Sequence, residues 1–161
     1  MKNSAKESSE KLKILVAEEN QEACSALEEL LKVLGHSVMV TQDGEDALNM
    51  FHETTPDLVF SGLTLPKLGG MELLREVKSG SGKTLFVMIC PMSDPEKIQQ
   101  ALKKGAADFL TRPIQSRELI RSLDRLVNLK RGFITSPSVN DTTPNPESTD
   151  LRISQGGWRT D

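Results

Sequence analysis

The sequence predicts a doubly wound α/β domain of five β-α units between two polar tails. Two observations predict it. Apolar runs of five or six residues alternate with longer stretches whose apolar residues recur at three- and four-residue spacing. Gly or a capping residue stands at most of the changes between the two periods. Buried strands separated by amphipathic helices imply a parallel sheet covered on both faces.

The elements follow in order. Leu12–Ala17 is the first strand. The helix after it carries Ala23, Leu27, Leu30, Leu31 and Leu34 on one face and ends at Gly35. Ser37–Thr41 is the second strand, and Asp43 caps a short helix with Ala47, Leu48 and Phe51 inward. Asp57–Ser61 is the third strand; Gly69 and Gly70 precede a helix carrying Met71, Leu74 and Val77. Leu85–Cys90 is the fourth strand. Ser93 and Glu96 read as a capping box for a helix with Ile98, Ala101 and Leu102 inward, closed by Gly105. Ala107–Thr111 is the fifth strand, and the last helix uses Leu119, Ile120, Leu123, Leu126 and Val127.

The domain is expected over residues 11–131. Residues 1–10 read as a flexible tail. Residues 132–161, rich in Pro, Ser, Thr, Asn and Gly, read as a disordered one. The longest strongly apolar run has six residues, so no membrane span is expected. The N-terminus shows no secretory signal, and the two cysteines are read as reduced thiols of a cytoplasmic chain. Net charge is −3 but unevenly spread. Residues 1–93 carry −5 and residues 94–131 carry +4. This balance argues against a dedicated nucleic-acid binder and leaves the basic block to be explained.

In open sheets of this kind, sites form beyond the carboxyl ends of the strands. The segments there are Glu18–Asn20, Gln42–Gly44, Gly62–Gly70, Cys90–Ser93 and Arg112–Gln115. The stretches KILVAEEN, PDLVFSGLTLPKLGG and GAADFLTRPI resemble, in spacing and order, the first, third and fifth strands of response-regulator receiver domains. The resemblance covers about residues 11–131. It implies a flavodoxin-like three-layer sandwich with parallel strand order 2-1-3-4-5 and a cis bond before Pro113.

It also implies site roles. In the family an Asp after the third strand accepts a phosphoryl group, an acidic pair holds Mg²⁺, and a Ser/Thr and a Lys bind the phosphoryl group. Here those positions fall on Gly62, on Glu18 and Glu19, on Cys90 and on Arg112. Phe109 falls on a position whose aromatic side chain reports the active state. A degenerate receiver, or pseudo-receiver, is therefore expected. It would be a non-enzymatic interaction module of two-component signalling that uses neither aspartyl phosphorylation nor Mg²⁺. Glu18 and Glu19 remain the only weak metal candidates, each a methylene longer than Asp.

The residues also carry readings of their own. Arg112 is expected to pair with Glu18 or Glu19. Its charge beside Cys90 would lower that thiol's pKa. Two alternatives stand beside the leading one: a switch phosphorylated at Ser61 or Asp57, and a small-molecule or redox sensor using a vacated pocket around Gly62, Cys90 and Arg112. The spacing of Arg117, Arg121 and Arg125, with Lys103 and Lys104 on the preceding helix, makes a basic surface stripe. The resemblance places it on the face of the fourth helix, fifth strand and fifth helix. That face would meet an acidic protein partner or a second copy.

Overall fold

The computed structural model describes residues 11–92 and 94–132. The two tails and Ser93 otherwise lie outside the described residues, so the expectations placed on them do too. The elements are β1 (Lys13–Ala17), α1 (Gln21–Val33), β2 (Ser37–Thr41), α2 (Gly44–Thr54), β3 (Leu58–Gly62), α3 (Gly70–Gly80), β4 (Leu85–Pro91), α4 (Pro95–Lys103), β5 (Asp108–Arg112) and α5 (Ser116–Arg131). The five strands are parallel, in the order β2-β1-β3-β4-β5. Both the units and the strand order are as expected.

Strand alternation splits the core into two layers. Leu15, Ala17, Val59, Phe86, Met88 and Cys90 share one sheet face with Ala47, Phe51, Leu73, Leu74, Val77 and Ala101 of α2, α3 and α4. The alternate residues Ile14, Val16, Leu58, Phe60, Val87 and Ile89 are also fully or almost fully buried. That double burial is why the strands read as continuous apolar runs.

The strands β3 and β5 start and end one residue later than the apolar runs suggest. Gly62 and Arg112 are consequently strand-terminal residues held in register, Gly62 opposite Ile89 and Arg112 opposite Pro91. The cap of α4 also differs. Asp94 caps it by accepting the Lys97 N–H at 3.3 Å, with Pro95 at the first helical position. A Pro at that position is the signal that outranks the Ser93–Glu96 pair.

Two residues assigned inward by helical spacing lie at the surface. Leu102 of α4 is 41% exposed and Ile120 of α5 is 40% exposed. Both sit at the margin of an apolar stripe, where a turn of 100° per residue separates core from solvent.

Two glycines shape the loop after β3. A Cβ on Gly44 would lie 1.8 Å from the Leu68 carbonyl oxygen, and one on Gly70 would lie 2.2 Å from the Gly62 carbonyl oxygen. The Gly44 N–H donates to the Pro66 carbonyl at 3.1 Å and the Gly70 N–H to the Leu63 carbonyl at 2.9 Å. The loop is laced to α2 and to the end of β3 by contacts that exclude a side chain. Lys67 takes the left-handed conformation there, φ 71°. Its ammonium lies 3.1 Å from Asp43, the cap of α2.

His36 fastens the other end of the sheet. Its Nδ1 accepts the Leu12 N–H at 3.1 Å, which requires neutral imidazole at that nitrogen, and burial holds its pKa below the ordinary value. Below about pH 6.5 the unfolded chain takes up a proton that the folded chain resists. The stabilisation is therefore complete above that pH and is lost as pH falls toward the depressed folded value. Thermal melts of wild type and His36→Gln should differ by a constant offset above about pH 7. The wild type should then lose ground relative to the variant as pH falls from there through the depressed folded value. A pH-independent difference would remove His36 from the account.

Candidate functional site

The carboxyl ends of β1, β3 and β5 bring Glu18, Gly62 and Arg112 together. The Glu18 N–H extends the sheet ladder by donating to Thr41, which turns the Glu18 side chain inward; it has no exposure at all. Its Oε1 accepts from Arg112 Nη2 at 2.7 Å, and its Oε2 accepts the Asn20 N–H at 2.9 Å. Arg112 keeps 34% of its side chain in solvent. The expected ion pair therefore forms, and with Glu18. Glu19 is exposed and stands outside it.

A carboxylate with both oxygens engaged, facing a guanidinium at hydrogen-bond distance, is a charge-assisted contact across the two halves of the fold. Arg112 is joined to Pro113 by a cis peptide bond, as expected for this motif.

Gly62 looks straight at this pair. A Cβ built on it would lie 3.2 Å from Glu18 Oε1 and 3.3 Å from Arg112 Nη2. The space a side chain would enter is thus already bordered by the ion pair. The sensor reading needs a pocket bordered by Gly62, Cys90 and Arg112. The cavity that Arg112 does line lies on the other side, between α1 and the turn after β5, and neither Gly62 nor Cys90 borders it.

Cys90 is fully buried among the residues facing α2, α3 and α4. Its thiol pKa is pushed up, first by burial and then by the Asp94 carboxylate; Arg112 opposes this with a smaller effect. The expected lowering by Arg112 is reversed, because desolvation of a thiolate outweighs one partly solvated cation. Burial likewise raises the thiol of Cys24, with smaller effects from Glu28 and Glu18.

The other proposed acceptors are poorly placed. Ser61 is buried and its hydroxyl donates to the Gly62 carbonyl at 2.9 Å. Asp57 lies just before β3, at the opposite end of that strand from Gly62. Its carboxylate accepts the Lys13 N–H at 2.8 Å. About four residues of strand, roughly 13 Å, separate it from Ser61.

Phe109 is half-buried on β5. Lys103, Lys104, Arg117 and Arg121 are exposed, and Arg121 lies 3.7 Å from Glu118. Arg125 departs from the expected stripe. Its Nη2 donates to the Ala107 carbonyl at 2.6 Å and lies 3.4 Å from Asp108, which also accepts from the Ser122 hydroxyl at 2.8 Å. Arg125 ties α5 to the start of β5. Sequence reasoning also missed Asn20, whose backbone fixes the second Glu18 oxygen.

Residues 14–124 match the profile of the family described as response regulator receiver domain. The chain belongs to the response regulator receiver domain family. Its receiver domain is 31% identical over 121 residues to the probable transcriptional regulator ycf27 of Guillardia theta, covering 73% of this chain and 47% of that one. The chain thus spans about half the length of that curated relative. Among solved structures, a receiver domain protein from Clostridium thermocellum superposes with TM-score 0.70 at 25% identity, covering 75% of this chain and 98% of the other. The receiver domain of NtrX from Brucella abortus gives TM-score 0.69 at 28% identity, covering 71% and 98%. This receiver domain is a module of two-component signalling. No helix among the described residues is long and apolar enough to cross a membrane.

Proposed function

We propose that this receiver domain signals as a protein-interaction module without aspartyl phosphorylation. One observation carries the reading: Gly62, at the end of β3, faces a closed Glu18–Arg112 ion pair. Formation of an acyl phosphate needs a carboxylate nucleophile, and glycine has none. Both oxygens of Glu18 already accept hydrogen bonds, so the carboxylate is committed to holding the site. Mg²⁺ demands several free oxygens in tight octahedral geometry, which this arrangement does not offer. Arg112 supplies a permanent charge where the family places its phosphate-pairing lysine. The ion pair then holds the loops of β1 and β5 in one state with no chemical input.

Binding needs only a shaped surface. The face of α4, β5 and α5 carries exposed Lys103, Lys104, Arg117 and Arg121 within the segment of net charge +4. Such a face steers an acidic protein surface, raising the association rate more than the affinity. Arg125 supports the fold and takes no part in this face.

Incubation with acetyl phosphate and Mg²⁺, followed by intact-mass measurement, tests the proposal. No phosphoryl adduct is expected on the wild type. A stoichiometric adduct mapped to residues 61–70 would overturn it.

A further inference from the structure

We infer that the segment following α5 docks on its own domain, Leu151, Ile153 and Trp158 filling a groove between α1 and the turn after β5. The groove encloses about 690 Å³, within the range of ligand-binding clefts. Ala26 and Leu30 line it from α1, and Pro113 and Ile114 from the turn. None of the four is buried, and Val33 at its edge is 77% exposed. Helix α1 thus commits Cys24, Leu27 and Leu31 to the core and leaves a second apolar strip beside them open to water.

The chain itself supplies an occupant. Residues 133–161 follow Gly132, the last described residue. After Ile134 the large apolar residues are Val139, Leu151, Ile153 and Trp158, and three of these four fall between 151 and 158. Residues 1–10 offer a single large apolar side chain, Met1, and cannot fill the groove.

Charge selects the same segment. Glu22 and Glu29 also line the groove, and neither has an ion-pair partner among the described residues. Arg152 and Arg159 are the only cations of residues 133–161, and they lie within and directly after the apolar cluster. Seating that cluster in the hollow brings both guanidiniums to an acidic rim.

Reach and tether favour the same chain over a second copy. Residues 135–150 can span up to about 50 Å, against a diameter of about 30 Å for a small domain. A tethered segment meets its groove at an effective concentration in the millimolar range, which a second copy at micromolar concentration does not match. Arg112 borders the groove and also holds Glu18. A seated segment therefore withdraws water from the guanidinium and strengthens its attraction to Glu18.

Trp158 is the only tryptophan, so fluorescence of the full chain reports on this segment alone. Its emission should be blue-shifted, and its acrylamide quenching constant roughly threefold lower, relative to a synthetic peptide of residues 148–161. Both should hold between about 1 and 100 μM protein, as an intramolecular contact requires. Ala26→Asp/Val33→Asp puts charge into the apolar lining, and Glu22→Lys/Glu29→Lys reverses the rim. Each pair should bring quenching up toward that of the peptide. Met92→Asp, at a residue 68% exposed and outside the groove, should change neither value. All four groove positions are exposed. Circular dichroism checks that each variant is folded, and the rim pair decides if the lining pair is not.

A Trp158 quenched as in the free peptide overturns the inference. So does protection that a folded groove variant leaves intact or that Met92→Asp abolishes, since the segment would then sit elsewhere. Protection that fades on dilution also overturns it, because the groove would then hold the segment of a second copy.

Discussion

Replacing Gly70 by Ala should destabilise the domain by about 3 kcal/mol or more, or abolish folding. The added methyl would sit 2.2 Å from the Gly62 carbonyl oxygen and 3.0 Å from Leu63 Cα. Both are backbone atoms, so no rotamer change relieves the collision. Either α3 moves away from the sheet or the loop after β3 rearranges, and each option disturbs the hydrogen bond from Gly70 N–H to Leu63. Gly82 is the control: nothing lies within 4 Å of a Cβ there. Gly82→Ala should change stability by less than about 1 kcal/mol. Urea denaturation of the two variants separates a local backbone collision from a general intolerance of alanine. A Gly70→Ala variant as stable as Gly82→Ala would mean that the approach of α3 to β3 is looser than described.

The second large effect is expected at the ion pair. Arg112→Ala leaves the fully buried Glu18 without its cation, one oxygen still accepting from Asn20. Removing one partner of a buried pair costs about 3–5 kcal/mol. Because Arg112 is partly solvated, water enters the vacated space and reduces this to about 2 kcal/mol. Glu18→Gln in the same background removes the stranded charge while keeping the shape. The double variant should therefore recover at least about 1 kcal/mol relative to Arg112→Ala alone. A loss below about 0.5 kcal/mol for Arg112→Ala, with no recovery in the double variant, would reduce the pair to an ordinary surface contact.

The layered fold was legible because burial on both sheet faces leaves unbroken apolar runs such as Leu85–Cys90, and because Gly35 and Asp43 mark helix ends by chemistry that needs those residues. The choice between Glu18 and Glu19 was not. Neighbours on a strand point to opposite sides, and which one faces inward depends on where the ladder stops. The bond from Glu18 N–H to Thr41 carries it one residue beyond β1.

Leu102 and Ile120 were misplaced for a related reason. Spacing identifies a helical stripe, but only packing says how wide the covered part of it is. Arg125 looked equivalent to Arg117 and Arg121 at four-residue spacing. Its contacts with Ala107 and Asp108 depend on the seating of α5 against β5, which no local pattern encodes. The direction of the Cys90 pKa was missed because a sequence shows the neighbouring cation and hides the depth of burial.

The proposed function requires a site closed by its own residues and held in one state. Backbone amide NMR during titration with beryllofluoride and Mg²⁺, a mimic of the phosphorylated state, addresses that claim directly. The amides of Asn20, Gly62, Leu63, Cys90 and Arg112 should keep their positions throughout, because no carboxylate is present at Gly62 to coordinate the mimic and Glu18 stays bound to Arg112. Saturable shifts at Gly62 and Arg112 that spread to Phe109 and α4 would contradict the account and return this chain to the phosphorylation-driven receivers.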